Sequence, residues 1–128
     1  MKEEGMLDHK TVLVVDDAPL NRKLIRTLLA MRKIRVIEAQ DAGQAFELIR
    51  QQAPDLVLMD LQLPGMNGLE ATRRLKSDPA TSDVPVVILS AGSVQEDDQE
   101  LRTAGCAGLI LKPFGAEDFL ETITSLLY

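Results

Sequence analysis

Five short runs of Val, Ile and Leu, separated by stretches with the period of an amphipathic helix, constrain this chain more than any other feature of its sequence. The runs occupy residues 11–15, 35–39, 56–59, 86–89 and 109–111. Consecutive rather than alternating apolar residues fit strands covered on both faces, as in a parallel sheet between two layers of helices. The second run is the least uniform and suits a sheet edge. Between the runs, Leu20, Leu24, Leu28 and Met31 form one helical stripe, and Ala42, Ala45, Phe46, Ile49 and Ala53 form another behind the N-cap candidate Asp41. Residues 68–77 read as a thin helix with Leu69, Thr72 and Leu75 inward, stopped by Asp78-Pro79. Residues 94–104 offer only Val94, Leu101 and Ala104 to a core and form the weakest helix, whereas Ala116, Phe119, Leu120, Ile123 and Leu127 make a strong final stripe.

Strand then helix, five times over, predicts an α/β fold with right-handed crossovers, a (βα)5 doubly wound five-stranded parallel sheet. The 128 residues suit one domain, with residues 1–9 as a polar, flexible lead-in and residues 10–128 as the folded unit. No apolar run approaches the ~20 residues of a membrane-spanning helix. A net charge of −6 argues against a nucleic-acid binder, whose affinity depends on Lys and Arg. The single cysteine, Cys106, agrees with a reducing, cytoplasmic setting and reads as a packing residue, and the single histidine, His9, reads as a tail residue.

Ligands of open α/β sheets gather beyond the carboxyl ends of the strands. Those places carry Asp16 and Asp17 after the first run, Asp60 after the third, Ser90 after the fourth and Lys112 after the fifth. One acid at a strand end is as readily a helix cap. Four matching strand ends are not so easily explained. Like charges ~4 Å apart repel by about 1 kcal/mol in water and about 4 at an effective dielectric of 20, so converging carboxylates need a cation. Lys112 supplies one positive charge, and a hard divalent ion such as Mg²⁺ would supply more.

These residues carry a resemblance. Val14-Val15-Asp16-Asp17, the stretch from Met59-Asp60 through Pro64-Gly65-Met66-Asn67-Gly68, Leu89-Ser90-Ala91 and Lys112-Pro113-Phe114 together resemble the receiver domain of two-component response regulators, across residues 11–127. The resemblance implies a flavodoxin-like sheet of strand order 2-1-3-4-5. It implies that Asp60 accepts a phosphoryl group from a phosphohistidine on a histidine kinase or histidine phosphotransfer domain. Asp17, Asp60 and the backbone carbonyl of Gln62 would ligate Mg²⁺, or Mn²⁺ in its place, with Asp16 acting mainly through water. Ser90 and Lys112 would bind the phosphoryl oxygens, Pro113 would follow a cis peptide bond, and Gly65 and Gly68 would permit the turn into the third helix. Gln62 and Gly92 would flank the attacking water's path. The family often has an aromatic residue where Leu109 stands, which departs from its usual coupling between Ser90 and the fifth strand.

The implied function is a phosphoacceptor signalling switch that changes the surface of its fourth helix, fifth strand and fifth helix, with self-phosphorylation and autodephosphorylation as its only chemistry. The partner would dock near the basic first helix at Arg22 and Arg26, and the acidic last helices suit a monomer or weak dimer. Two alternatives stand beside it. A haloacid-dehalogenase-like phosphatase would place a second acid where Gln62 lies, and a non-phosphorylated interaction module would not require the full acid, hydroxyl and lysine set.

Overall fold

The computed structural model describes residues 10–91 and 103–128. The lead-in, His9, Gly92 and most of the weak helix over 94–104 lie outside these residues. The elements are β1 (Thr11–Val15), α1 (Pro19–Ala30), β2 (Arg35–Ala39), α2 (Ala42–Gln51), β3 (Leu56–Asp60), α3 (Gly68–Ser77), β4 (Val86–Ser90), β5 (Gly108–Leu111) and α4 (Ala116–Leu127). All four strand pairings are parallel, in the order β2-β1-β3-β4-β5. This is the flavodoxin-like arrangement expected, with the uneven second run at an edge.

Strand alternation divides the interior into two cores. Leu13, Val15, Val57, Met59, Val86 and Ile88 pack on one face with α2 and α3, and Val12, Val14, Leu56, Leu58, Val87 and Leu89 on the other with α1 and α4. The central strands β1, β3 and β4 are therefore buried on both sides, which their unbroken apolar runs anticipate. The fifth run departs from this pattern. In β5 only Ile110 is buried, while Leu109 and Leu111 are 36% and 48% exposed, because β5 ends the sheet.

Local chemistry sets the helix boundaries. Asp41 caps α2 by accepting from the Gln44 N–H at 2.8 Å, and Asn67 caps α3 by accepting from Glu70 at the same distance. Thr72 satisfies its buried hydroxyl by donating to the Gly68 carbonyl at 2.8 Å. Two stripes lose their outermost members: Ala53 lies past the end of α2 and Ala116 in the first turn of α4, both exposed.

Helix α1 corrects the sequence reading more substantially. Its buried residues are Ile25 and Leu29, whereas Leu20, Leu24 and Met31 of the expected stripe are 79%, 51% and 68% exposed. The helix is turned by about one residue, or about 100°, from that expectation. Its first turn faces acids rather than a core. Asn21 Nδ2 reaches Asp16 Oδ2 at 3.4 Å and Arg22 Nη1 donates to the Asp16 carbonyl at 2.7 Å. A polar first turn is thus directed inward, and the residues one turn behind it, Ile25 and Leu29, form the buried face.

Gly68 is required by a close approach. A Cβ there would lie 2.3 Å from the Asp60 carbonyl oxygen, so α3 can begin against β3 only without a side chain.

Two outcomes follow for urea denaturation. Ile25→Ala should cost about 2–5 kcal/mol and Leu24→Ala no more than about 0.5 kcal/mol, and equal losses would contradict this rotation of α1. Gly68→Ala should cost about 1–3 kcal/mol through forced backbone separation, and wild-type stability in that variant would show the contact to be dispensable.

Candidate functional site

Register explains why acids distant in sequence meet. Val14 pairs with Leu58 and Val15 with Met59, so one step further along parallel neighbours Asp16 falls beside Asp60. Both continue the parity of residues packed beneath α1 and α4, Val12 and Val14 in one strand, Leu56 and Leu58 in the other. The strands run one residue beyond the apolar runs, so Asp60 and Ser90 are the last residues of β3 and β4. Strand geometry rather than a loop therefore sets where they lie.

One carboxylate oxygen from each of Asp16, Asp17 and Asp60 lies within 4.8 Å of the others. Asp16 is fully buried, Asp60 is 7% exposed and Asp17 is exposed. Lys112, just past β5, points its ammonium between two of them, 3.6 Å from Asp16 Oδ2 and 3.5 Å from Asp60 Oδ2. Its backbone is held to β4 through a hydrogen bond from the Lys112 N–H to the Ser90 carbonyl at 2.7 Å. The Lys112–Pro113 peptide bond is cis, as expected. Ser90 is buried at the end of β4, the strand adjoining β3.

Hydrogen bonds orient the acids without neutralising them. Asp16 Oδ1 accepts from the Ala18 N–H at 2.9 Å, and Asp60 Oδ1 accepts from the Gln62 N–H at 3.2 Å. Gly65 takes the positive φ of 82° that the turn toward α3 requires. Burial, and then the charge of Asp16, push the Asp60 carboxyl above its ordinary value, against the opposing Gln62 N–H and Lys112. A single ammonium at these distances leaves three carboxylates under-compensated. The donors are hard oxygens, which suit a small divalent ion such as Mg²⁺ better than a thiophilic metal.

Arg22, expected near a docking face on the first helix, is engaged within the domain. Its side chain is only 17% exposed, with Nε 2.9 Å from Glu38 Oε1 and Nη1 on the Asp16 carbonyl. Arg26 also pairs with Glu38. Sequence reasoning missed Glu38, an acid within the edge strand β2, and the visible signal was its isolation in an otherwise basic segment. Cys106 is half-buried against the α2 and α3 core, and burial pushes its thiol up, in keeping with a packing role. Beside the acids, Asn21, Leu24, Ile25, Ala91, Lys112, Pro113 and Phe114 line a cleft of about 400 Å³.

Comparison with known proteins agrees with this geometry. The family model of the response regulator receiver domain matches residues 12–124. The polar-differentiation response regulators DivK of Brucella anthropi and Brucella ovis are each 39% identical over 118 residues, covering 92% of this chain and 96% of the relative. The chemotaxis response regulator CheY4 of Vibrio cholerae superposes with a TM-score of 0.86 at 26% identity, over 93% of this chain and 99% of its own. The receiver domain of a sensor histidine kinase from Pseudomonas aeruginosa, solved with a magnesium ion coordinated in its active-site cleft, does so with a TM-score of 0.84 at 28% identity, over 93% and 97%. A match that begins within β1 and ends within α4, on a sheet whose strand ends gather these acids, leaves one assignment: the chain belongs to the response regulator receiver domain family.

Proposed function

We infer that this domain is a phosphoacceptor switch that receives one phosphoryl group on Asp60 from a phosphohistidine of a histidine kinase or phosphotransfer partner. The observation that carries this reading is the approach of Asp16, Asp17 and Asp60 oxygens to within 4.8 Å of one another beside the Lys112 ammonium. Asp17, Asp60 and the backbone carbonyl of Gln62 would hold Mg²⁺ directly, and Asp16 through water. Mn²⁺ offers the same preference for oxygen ligands. The ion, when bound, supplies positive charge for the transferring phosphoryl oxygens.

Transfer is a displacement at phosphorus. An Asp60 carboxylate oxygen forms the new P–O bond as the donor's P–N bond breaks, and the bonding pair leaves on the imidazole nitrogen, which takes up a proton. Lys112 pairs with one phosphoryl oxygen and the Ser90 hydroxyl donates to another. Burial keeps Asp60 poorly solvated, which preserves its nucleophilicity. Water later cleaves the acyl phosphate to inorganic phosphate and the free Asp60 carboxylate, on a path beside Gln62.

The exposed Leu20 and Leu24 and the adjoining cleft give α1 an apolar rim beside the acids. We place partner docking on this rim rather than on Arg22, whose guanidinium is engaged within the domain. The output surface includes β5, where Leu109 and Leu111 stay partly exposed. Leu109 has no polar-tipped ring to turn, so coupling from Ser90 would pass through the backbone that its carbonyl shares with Lys112. No helix among the described residues is long and apolar enough to cross a membrane, and a cytoplasmic monomer or weak dimer completes the reading. A haloacid-dehalogenase-like phosphatase is disfavoured by the receiver family match and by Gln62 in place of a second acid.

Incubation with phosphoramidate and Mg²⁺, followed by intact mass, should add one phosphoryl group to wild type that alkaline hydroxylamine removes. Asp60→Asn should gain none, and equal labelling of the two proteins would refute the reading. Because the folded domain raises the Asp60 pKa, its ionisation opposes folding: that cost is absent below the unfolded aspartate range and is fully present above the folded value. Metal-free Asp60→Asn should therefore be more stable than wild type at pH 7, by a margin that narrows toward pH 3 and on adding Mg²⁺ to wild type. A margin that widens on acidification would show the sign to be wrong.

A further inference from the structure

The backbone of Asp16 is tied to β2 on both sides, through the N–H of the Val15–Asp16 peptide and the carbonyl of the Asp16–Asp17 peptide. The Asp16 N–H donates to the Ala39 carbonyl at 3.0 Å. Its carbonyl accepts from Arg22 Nη1 at 2.7 Å, and the Nε of the same guanidinium rests on Glu38 Oε1 at 2.9 Å. Burial alone would raise the Glu38 carboxyl, but hydrogen bonds and charge from Arg26 and Arg22 outweigh it and hold Glu38 below its ordinary value. The planar fork of arginine can serve both acceptors at once, which a lysine ammonium on a flexible stem does not reproduce. The carbonyl that Arg22 grips belongs to the peptide joining Asp16 to Asp17, and its orientation sets where the chain continues. Asp16 is buried and held through its own carboxylate, whereas Asp17 is exposed and depends on its backbone for placement near the other acids.

We propose that Arg22, braced by Glu38, is a positioning residue that locks the Asp16–Asp17 peptide plane and so presents Asp17 to the divalent ion. This rests on the metal-dependent reading above. Electrostatics and positioning predict opposite signs here. Removing a positive charge beside an acidic cluster should tighten binding of a dication, so weaker binding on loss of Arg22 reports lost geometry.

The test compares wild type with Arg22→Met, which keeps most of the aliphatic stem, Arg22→Lys, which keeps the charge, and Ile49→Val, a mild core substitution on the opposite side of the sheet. In calorimetric Mg²⁺ titrations, Arg22→Met should bind about tenfold more weakly, Arg22→Lys should fall between, and Ile49→Val should match wild type. Phosphoramidate labelling of Arg22→Met should need correspondingly more Mg²⁺ for half its maximal rate, with that maximum within twofold of wild type. Without metal, the Ala18 amide, which donates to Asp16 Oδ1 at 2.9 Å, should exchange about tenfold faster in Arg22→Met than in Ile49→Val. Unchanged or tighter Mg²⁺ binding together with unchanged Ala18 exchange overturns the proposal. Were wild type neither to bind Mg²⁺ nor to gain a phosphoryl group, the functional reading would fall, and the metal-free exchange comparison would still decide the role of Arg22.

Discussion

Three carboxylates whose oxygens lie within 4.8 Å of one another repel, and most of what is distinctive in this domain is arranged around that repulsion. Lys112 relieves part of it. Its contacts of 3.6 and 3.5 Å to Asp16 and Asp60 are longer than the ~2.7–2.9 Å of a close charge-assisted hydrogen bond. Among the described residues, further compensation comes from the main-chain N–H groups of Ala18 and Gln62 and the side-chain amide of Asn21, which orient the acids but carry no net charge. The cluster is thus held in a form that favours binding a cation, and the Asp60 carboxyl is raised above its ordinary value by burial first and by the Asp16 charge second.

The fold supplies the rigidity that such an arrangement needs. Asp60 and Ser90 terminate strands buried on both faces, and Asp16 follows directly from a third. Their positions are coupled to two packed cores rather than to the conformation of a loop, and strand ends resist displacement by the charges they carry. Gly68 lets α3 approach the Asp60 backbone from one side. Arg22 and Glu38 brace the Asp16 backbone from the other. The rim of α1 that remains outside leaves Leu20 and Leu24 exposed.

The places where sequence reasoning and structure part are informative about the site. Leu20, Leu24, Leu28 and Met31 form a better apolar stripe than Ile25 and Leu29 alone, and periodicity prefers the better stripe. Asn21 and Arg22 reverse that preference, because their inward-facing polar groups bond to Asp16. The same event brings Arg22 against Glu38, an acid on an edge strand. At β5 the error has a different origin: an apolar run reads the same at the centre of a sheet and at its edge, and only strand order exposes Leu109 and Leu111.

Sequence alone determined the alternation of strands and helices, the caps at Asp41 and the stop at Asp78-Pro79, and the residues that would gather at the strand ends. Each of these depends on local propensity or on a period of two or 3.6, which a linear pattern carries. Tertiary structure alone decided which face of α1 turns inward, which leucines of β5 stay in contact with water, and that Arg22 reaches the Asp16 carbonyl and Glu38. Those outcomes are settled by competition between hydrophobic burial and polar bonds to residues far along the chain, and that competition exists only once β1, β2 and α1 have come together.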